Sequence, residues 1–540
     1  MIKKITQHPA YQHLKQLSEM ISLKENHLKH LITDRQRFWK FSLSICDFFF
    51  DFSKQRINSK IFDTLIDLSI QSRARDKFSQ MTIGEKVNTT ERRAALHTAT
   101  RDFTQEKIQV GDQDILFNIK TVYQEIAAFC KKVHQKKITG NDGKPFSDAV
   151  IVGIGGSCLG CEFIYEAMKC SITPKINLHF LANVDIDNFG TVIQKINPKT
   201  CLWIVISKSY TTAEIMANLN QALLFLEKNH LNPVDHLITI TAQGSPGDNP
   251  SNPVLRCFHM FDFIGGRYSA TSAAGVLPLG LAFGMTPVHQ LLSGCHEMDR
   301  HALKATERKN IPLIAALINI WNSNFLNYPA SGIIPYSSVL SKLSPHVQQL
   351  YMESIGKGVT ADGEFVDYPT GMIIFGETGT NAQHSFFQHA HQGSPFPIEF
   401  IGSIKPLYAQ EKIYAKGVTN HQELWANMIA QANALATGRS DDDNAKYFKG
   451  NRPSSTLLLN DLSPKSIGLL LSFYEARTVY EGFILGINPF DQFGVELGKV
   501  QASDIRDEMA KRNTAPDTDI NHSDDAVRFY LNTLYKGCLD

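Results

Sequence analysis

The sequence lacks an apolar run long enough to cross a membrane. Residues 464–487 form its most apolar long segment, but Glu475, Arg477 and Glu481 interrupt it, so it reads as a buried helix. The first twenty residues, MIKKITQHPAYQHLKQLSEM, have no hydrophobic core of a secretory signal. Together these absences lead to the expectation of a cytoplasmic protein. Charge of one sign is also lacking: 54 basic residues face 53 acidic ones, for a net charge of +1. A nucleic acid partner, which calls for a strong basic excess, is therefore not expected. Cysteine is sparse, scattered and odd in number at nine residues, which argues against a disulfide framework. Cys158-Leu-Gly-Cys161 has no second C-x-x-C to complete a zinc site. A redox role for that pair stays open beside the plainer reading of two small buried hydrophobes.

Both nucleotide-binding glycine patterns are incomplete as well. The stretch 148-DAVIVGIGGSCLGCE-162 offers Gly153 and Gly155 of a G-x-G-x-x-G fingerprint, but Cys158 stands at the third glycine. Gly160 is followed by Cys161 and Glu162, where a P-loop needs lysine and a hydroxyl residue. What is present is a run of β-formers, a glycine turn with Ser157, and a helix start. Such a helix end carries unpaired N–H groups and a partial positive charge, which suit an anion. A tight turn with glycines only for packing is the alternative.

Hydrophobic residues make up 43% and charged residues 20% of the 540, an ordinary globular composition with ample chain for large cores. Residues 1–120 read as a mainly helical region, with Phe48, Phe49 and Phe50 packing into a neighbour. From 121 to 285, strands are expected near 148–154, 175–182, 201–206 and 236–241, with helices near 158–170 and 211–228. A second series spans 286–500. Its strands fall near 332–338, 371–376, 396–403 and 455–460, its helices near 344–356, 381–391, 420–436 and 463–486. Alternation of strands and helices predicts an α/β fold with two parallel sheets flanked by helices. The polar segment 501–540 reads as a C-terminal arm that includes one helix.

Ligands of such sheets bind outside the carboxyl ends of the strands. There, 207-SKSYTTAE-214 crowds Ser207, Ser209, Thr211 and Thr212 around Lys208 at a helix start. That is more than capping requires, and it suits a phosphate. In 261-FDFIGGRYSATSAAG-275, two glycines before Arg267 allow a close backbone approach beside a permanently charged guanidinium. The segment 345-PHVQQLYMESIGKG-358 sets Gln349 and Glu353 on one helical face, where a carboxylate can serve as a base or be merely solvated. His384, His389 and His391 are spaced by five and two residues, which does not match a helical zinc pair. Asp491, Gln492, Glu496 and Lys499 cluster in a glycine-punctuated segment.

Seven ordered blocks together resemble the phosphoglucose isomerase (glucose-6-phosphate isomerase) family. They are DAVIVGIGGS at 148–157, SKSYTT at 207–212, GGRYS at 265–269, MESIGK at 352–357, GTNAQH at 379–384, GNRPS at 450–454 and FDQFGVELGK at 490–499. The resemblance implies two sugar-isomerase (SIS) lobes and reversible conversion of glucose 6-phosphate to fructose 6-phosphate through ring opening and a cis-enediolate. It implies a homodimer whose active site is completed across the interface, with no metal and no organic cofactor. Carried over position by position, Glu353 is the base, Arg267 the oxyanion stabiliser, and His384 with Lys499 the ring-opening pair. Gly156, Ser157, Ser207, Lys208, Ser209 and Thr212 then hold the phosphate, and Gln349 and Gln492 touch the sugar. Cys158 stands where the family usually has aspartate, and Ser209 keeps the hydroxyl of a usual threonine. A sugar-phosphate sensor of the same fold is the rival outside catalysis; mannose 6-phosphate is the rival substrate.

Overall fold

The computed structural model describes residues 4–408, 417–516, 520 and 522–539. The chain forms two compact units, Met1–Phe490 and Asp491–Asp540. The first unit holds two sheets. One has five strands in the spatial order Asn177–Leu181, Asp148–Val152, Cys201–Ile206, Leu237–Ala242, Arg256–Met260. Every neighbouring pair is parallel. The Cys201–Ile206 strand lies at its centre and is buried along its whole length, as a strand covered on both faces must be. Order and direction match the doubly wound plan, in which the chain runs outward from the middle in both directions. The crevice where the direction reverses lies between the ends of Asp148–Val152 and Cys201–Ile206, and that is where such folds bind ligands.

The second sheet has six strands. Ile373–Phe375, Ala330–Pro335, Ile398–Ser403 and Ser454–Leu459 are parallel neighbours in that order. The hairpin Ser42–Ile45 and Phe48–Asp51 extends it, with Phe48–Asp51 antiparallel to Ser454–Leu459. The Phe48–Phe50 triplet thus packs by becoming a strand: Phe48 and Phe50 are buried, and both rings lie against Phe473. The hairpin was not legible as such, because the strand it pairs with lies about four hundred residues away, at the far end of the chain.

The Pro464–Leu485 helix is buried on every side. Its ends follow local rules. Ser463 accepts the Ser466 N–H at 3.4 Å, Pro464 opens the first turn, and Gly486 closes it at φ +71°. Each charge within it has a partner. Glu475 lies 2.5 Å from Arg101, Arg477 lies 3.0 Å from Glu399, and Glu481 accepts from Tyr351 at 2.5 Å and Asn319 at 2.9 Å. Among the described residues no helix is long and apolar enough to cross a membrane.

Two expectations need adjustment. The single helix near 381–391 is two short ones, Gly379–Gln383 and Phe387–Gln392. Ala382 and Phe387 are both buried in one cluster, yet in a continuous helix they would point about 140° apart. The break lets both face inward. In the second unit, Glu496–Thr514 is a helix and precedes the expected one at Asp525–Lys536; its Glu, Leu, Lys, Gln, Ala and Arg content favours that state.

Close packing fixes the central helix against Met285–Lys304. A Cβ at Gly468 would lie 2.0 Å from the Leu291 carbonyl oxygen, and one at Gly294 would lie 1.9 Å from that of Lys465. Gly468→Ala should therefore lower stability by about 1–3 kcal/mol, as overpacking does, although alanine alone would favour the helix by about 1 kcal/mol. Thermal denaturation of the two proteins checks this; an unchanged or higher midpoint would show that the helices have room to part.

Candidate active site

The strand Asp148–Val152 leads into the turn Gly155–Ser157 and then the helix Leu159–Met168. Gly155 sits at φ +56°, a left-handed conformation that glycine adopts freely. Gly156 is needed for space. A Cβ there would lie 2.2 Å from the Gly266 carbonyl carbon and 2.4 Å from the Arg267 nitrogen. Two glycine loops, more than a hundred residues apart in sequence, thus meet backbone to backbone. Ser269 Oγ adds a tie by donating to the Gly156 carbonyl at 3.2 Å.

This contact delivers Arg267 to the Leu343–Ile355 helix. The Arg267 side chain is buried and its Nη1 lies 3.3 Å from Glu353 Oε2. Its Nε donates to Ser354 Oγ at 2.6 Å and its Nη2 to the Pro489 carbonyl at 2.7 Å. Tyr268, next in sequence, hydrogen-bonds Ser354 Oγ at 3.0 Å, and burial pushes its phenol up to about 12, so it stays protonated. The guanidinium is held in one plane from several directions, as a fixed cation must be if it is to act without reorganising. Gln349, one turn before Glu353, donates through Nε2 to Glu353 Oε1 at 3.3 Å. The same nitrogen would lie 2.8 Å from a Cβ on Gly155. Glu353 remains partly open, with 30% of its side chain exposed. The result is a carboxylate flanked by an amide and a permanent cation, beside the glycine loop.

The loop 207–212 lies at the same sheet edge, after the adjacent strand. Ser207 Oγ accepts the Tyr210 N–H at 3.0 Å, and Ser209 Oγ accepts the Thr211 N–H at 3.3 Å and its hydroxyl at 2.9 Å. Serines used as acceptors keep their own O–H to donate outward. Thr212 stands at the N-cap of Ala213–Lys228 and makes no side-chain capping bond. Tyr210 adopts φ +54°, a conformation costing a non-glycine residue about 1–2 kcal/mol, with its ring against Gly247. Lys208 Nζ donates to the carbonyls of Asp262 at 2.8 Å and Ile264 at 3.3 Å, which ties this loop to the one carrying Arg267. Burial lowers its pKa, with Arg93 nearby adding to the effect.

Of the residues singled out in the sequence, the structure joins Gly156, Arg267, Gln349 and Glu353 directly. Ser157, Ser207, Lys208, Ser209 and Thr212 share their sheet edge. His384 caps the Gly379–Gln383 helix and is exposed. Gln492 and Lys499 belong to the second unit: the Gln492 carbonyl accepts the Val495 N–H at 3.3 Å, and Lys499 is exposed on the Glu496–Thr514 helix. Ser354 and the Pro489 carbonyl, which hold Arg267, escaped the sequence reading. Ser354 carries no signal beyond standing beside Glu353, and a backbone carbonyl carries none. Cys158 and Cys161 are buried, and burial raises both thiols; a reactive thiol needs the opposite shift.

A family model described as phosphoglucose isomerase matches residues 51–526. The chain is 53% identical over 535 residues to the glucose-6-phosphate isomerase of Desulfosudis oleivorans, covering 98% of each. It is 38% identical over 542 residues to a cytosolic glucose-6-phosphate isomerase of Arabidopsis thaliana, covering 95% of each. Its fold is similar to the crystal structure of a glucose-6-phosphate isomerase from Chlamydia trachomatis, with TM-score 0.89, 34% identity, and coverage of 98% of this chain and 99% of that one.

The backbone contact at Gly156 should be indispensable. Gly156→Ala is expected to reduce kcat/KM at least about a hundredfold by displacing Arg267, since errors of about 1 Å have that effect. Steady-state kinetics with circular dichroism as a folding control would check it, and near-normal turnover would mean that the two loops can separate without harm.

Proposed function

The chain belongs to the phosphoglucose isomerase family, and from that premise we propose how its residues divide the work. The enzyme is an aldose–ketose isomerase that interconverts glucose 6-phosphate and fructose 6-phosphate, a reaction of glycolysis and gluconeogenesis. The observation that carries the assignment of roles is the 3.3 Å pairing of Glu353 with a buried Arg267 beside a glycine loop.

The phosphate sits on the donors at the sheet edge: the Gly156 and Ser157 turn, the hydroxyls of Ser207, Ser209 and Thr212, and the open N–H groups of the Ala213–Lys228 helix. Lys208 contributes through its backbone, since its ammonium is engaged with carbonyls. His384 of the partner subunit and Lys499 open the ring: one gives a proton to the ring oxygen while the other takes the anomeric hydroxyl proton. The Glu353 carboxylate then removes the proton from C2. The C–H electrons form the C1–C2 double bond, and negative charge gathers on the substrate oxygens. Arg267 opposes that charge, a contribution commonly worth about 10²–10³ in rate. A proton passes from O2 to O1 in the enediolate, and Glu353, now a neutral acid, returns its own proton to C1 on the same face. Gln349 and Gln492 contact sugar hydroxyls. No metal or organic cofactor takes part in this scheme, and the homodimer works in the cytoplasm.

Glu353→Gln removes the base and keeps the shape. Fructose 6-phosphate turnover, coupled to glucose-6-phosphate dehydrogenase, should fall at least about 10²-fold, the low end for a positioned general base. The wild-type rate should be the same with and without EDTA. A fully active variant would transfer the role to another carboxylate, and an inactive wild type would bring the sugar-phosphate sensor forward.

Shared sites predict complementation. Glu353→Gln and His384→Ala subunits, each inactive alone, should regain about a quarter of wild-type turnover when reassembled together, because half of the random dimers then hold one intact site. No recovery would place His384 in the site of its own subunit.

A further inference from the structure

Asp248, Cys257 and His259 form a cluster that the isomerisation does not use. Cys257 and His259 lie two residues apart on the strand Arg256–Met260, so the strand sends both to one face. Asp248 ends the turn Pro246–Asp248 and reaches across to them. Its Oδ1 accepts from His259 Nε2 at 2.8 Å and from the Cys257 thiol at 3.5 Å. One nitrogen, one sulfur and one oxygen lie within 4.8 Å of one another. The remaining carboxylate oxygen, Oδ2, accepts the Gly244 N–H at 2.9 Å. All three side chains are half-buried.

Two simpler uses fit the geometry less well. A nucleophilic thiol would need the imidazole between itself and the carboxylate. Here the carboxylate is in the middle, hydrogen-bonded to both the thiol and the imidazole. A hydrogen-bonded brace would need no sulfur, since a thiol is a weak donor, and a serine would serve better.

We infer that Asp248, Cys257 and His259 bind a zinc-class divalent cation through Oδ1, Sγ and Nε2. A soft thiolate with an imidazole selects such ions over magnesium or calcium. The ion takes the place of the thiol proton, which leaves to solvent, and of the proton on His259 Nε2, which gives way as the ring changes tautomer to Nδ1–H. Tetrahedral zinc bonds of ordinary length place ligand atoms about 3.3–3.6 Å apart. Asp248 and Cys257 are already at that separation, and Asp248 and His259 need to part by about half an ångström. The Gly244 N–H would hold the ligating carboxylate in orientation, as outer partners of metal ligands do. Three protein ligands leave a fourth position for water. Gly247, next to Asp248, supports the Tyr210 ring, so the cluster lies behind the 207–212 loop.

The test is titration of the metal-stripped full-length protein with Co²⁺, followed by thiolate-to-cobalt charge-transfer absorption, with Zn²⁺ as competitor. Wild type should give a saturable band at a single equivalent that Zn²⁺ abolishes. Cys257→Ser should lose the band, and His259→Ala should bind at least about tenfold more weakly, with both variants keeping wild-type kcat. Absence of the band in wild type would overturn the site. So would a full band in Cys257→Ser, which would assign the metal to the other cysteines that are not buried, Cys46, Cys170 and Cys538.

Discussion

A charged helix buried on all sides constrains everything around it. Pro464–Leu485 carries Glu475, Arg477 and Glu481 into the core, and each must be met by a group from elsewhere. Stranding one member of such a pair commonly costs about 3–5 kcal/mol, so the partners are effectively compulsory. Arg101 comes from the N-terminal region and also holds Asp299 at 2.6 Å, Glu399 from the centre of the second sheet, and Tyr351 from the helix that bears Glu353. Burial pushes the carboxyls of Glu475 and Glu481 up to about 7, which these partners oppose. The helix thereby sets the position of the Glu353 helix through Tyr351, two residues before the carboxylate.

Against that fixed helix, the geometry around Glu353 and Arg267 is an assembly of backbones. Gly156 lets the first loop touch Gly266 and Arg267, and Lys208 ties the second loop to the same segment. Arg267 is then aimed by Ser354 and the Pro489 carbonyl. The glycine and hydroxyl-rich loops stand on strand ends of the first sheet and Glu353 on the Leu343–Ile355 helix, and these contacts join them with little freedom.

Much of this was legible in the chain. Alternating apolar runs marked the parallel strands to within a few residues, because strands buried on both faces carry a strong signal. The hydroxyl-rich 207–212 segment and the glycine pairs marked loops at strand ends, where function concentrates. Glu353 alone was ambiguous: a helical glutamate is usually solvated, and only the ordered blocks singled it out. What stayed hidden depended on distant partners. The strand Arg256–Met260 lies at a sheet edge and alternates weakly. Ser354 and Pro489 act through positions that only the fold reveals, and the break at His384 follows from two buried residues competing for the same core.

The hairpin at the edge of the second sheet has a temporal side. Asp51 pairs with Thr456, so a strand made near the start of synthesis waits for one made about four hundred residues later. At 5–20 residues per second that delay is about 20–80 s. During it, the five strands between residues 148 and 260 have every neighbour they need, whereas Phe48 and Phe50 have no sheet to join. The nascent chain must therefore shelter an aromatic, strand-forming segment while one lobe is complete and the other is not. Closure of that segment onto Ser454–Leu459 makes completion of the second sheet a late event, and couples the order of translation to the risk of aggregation.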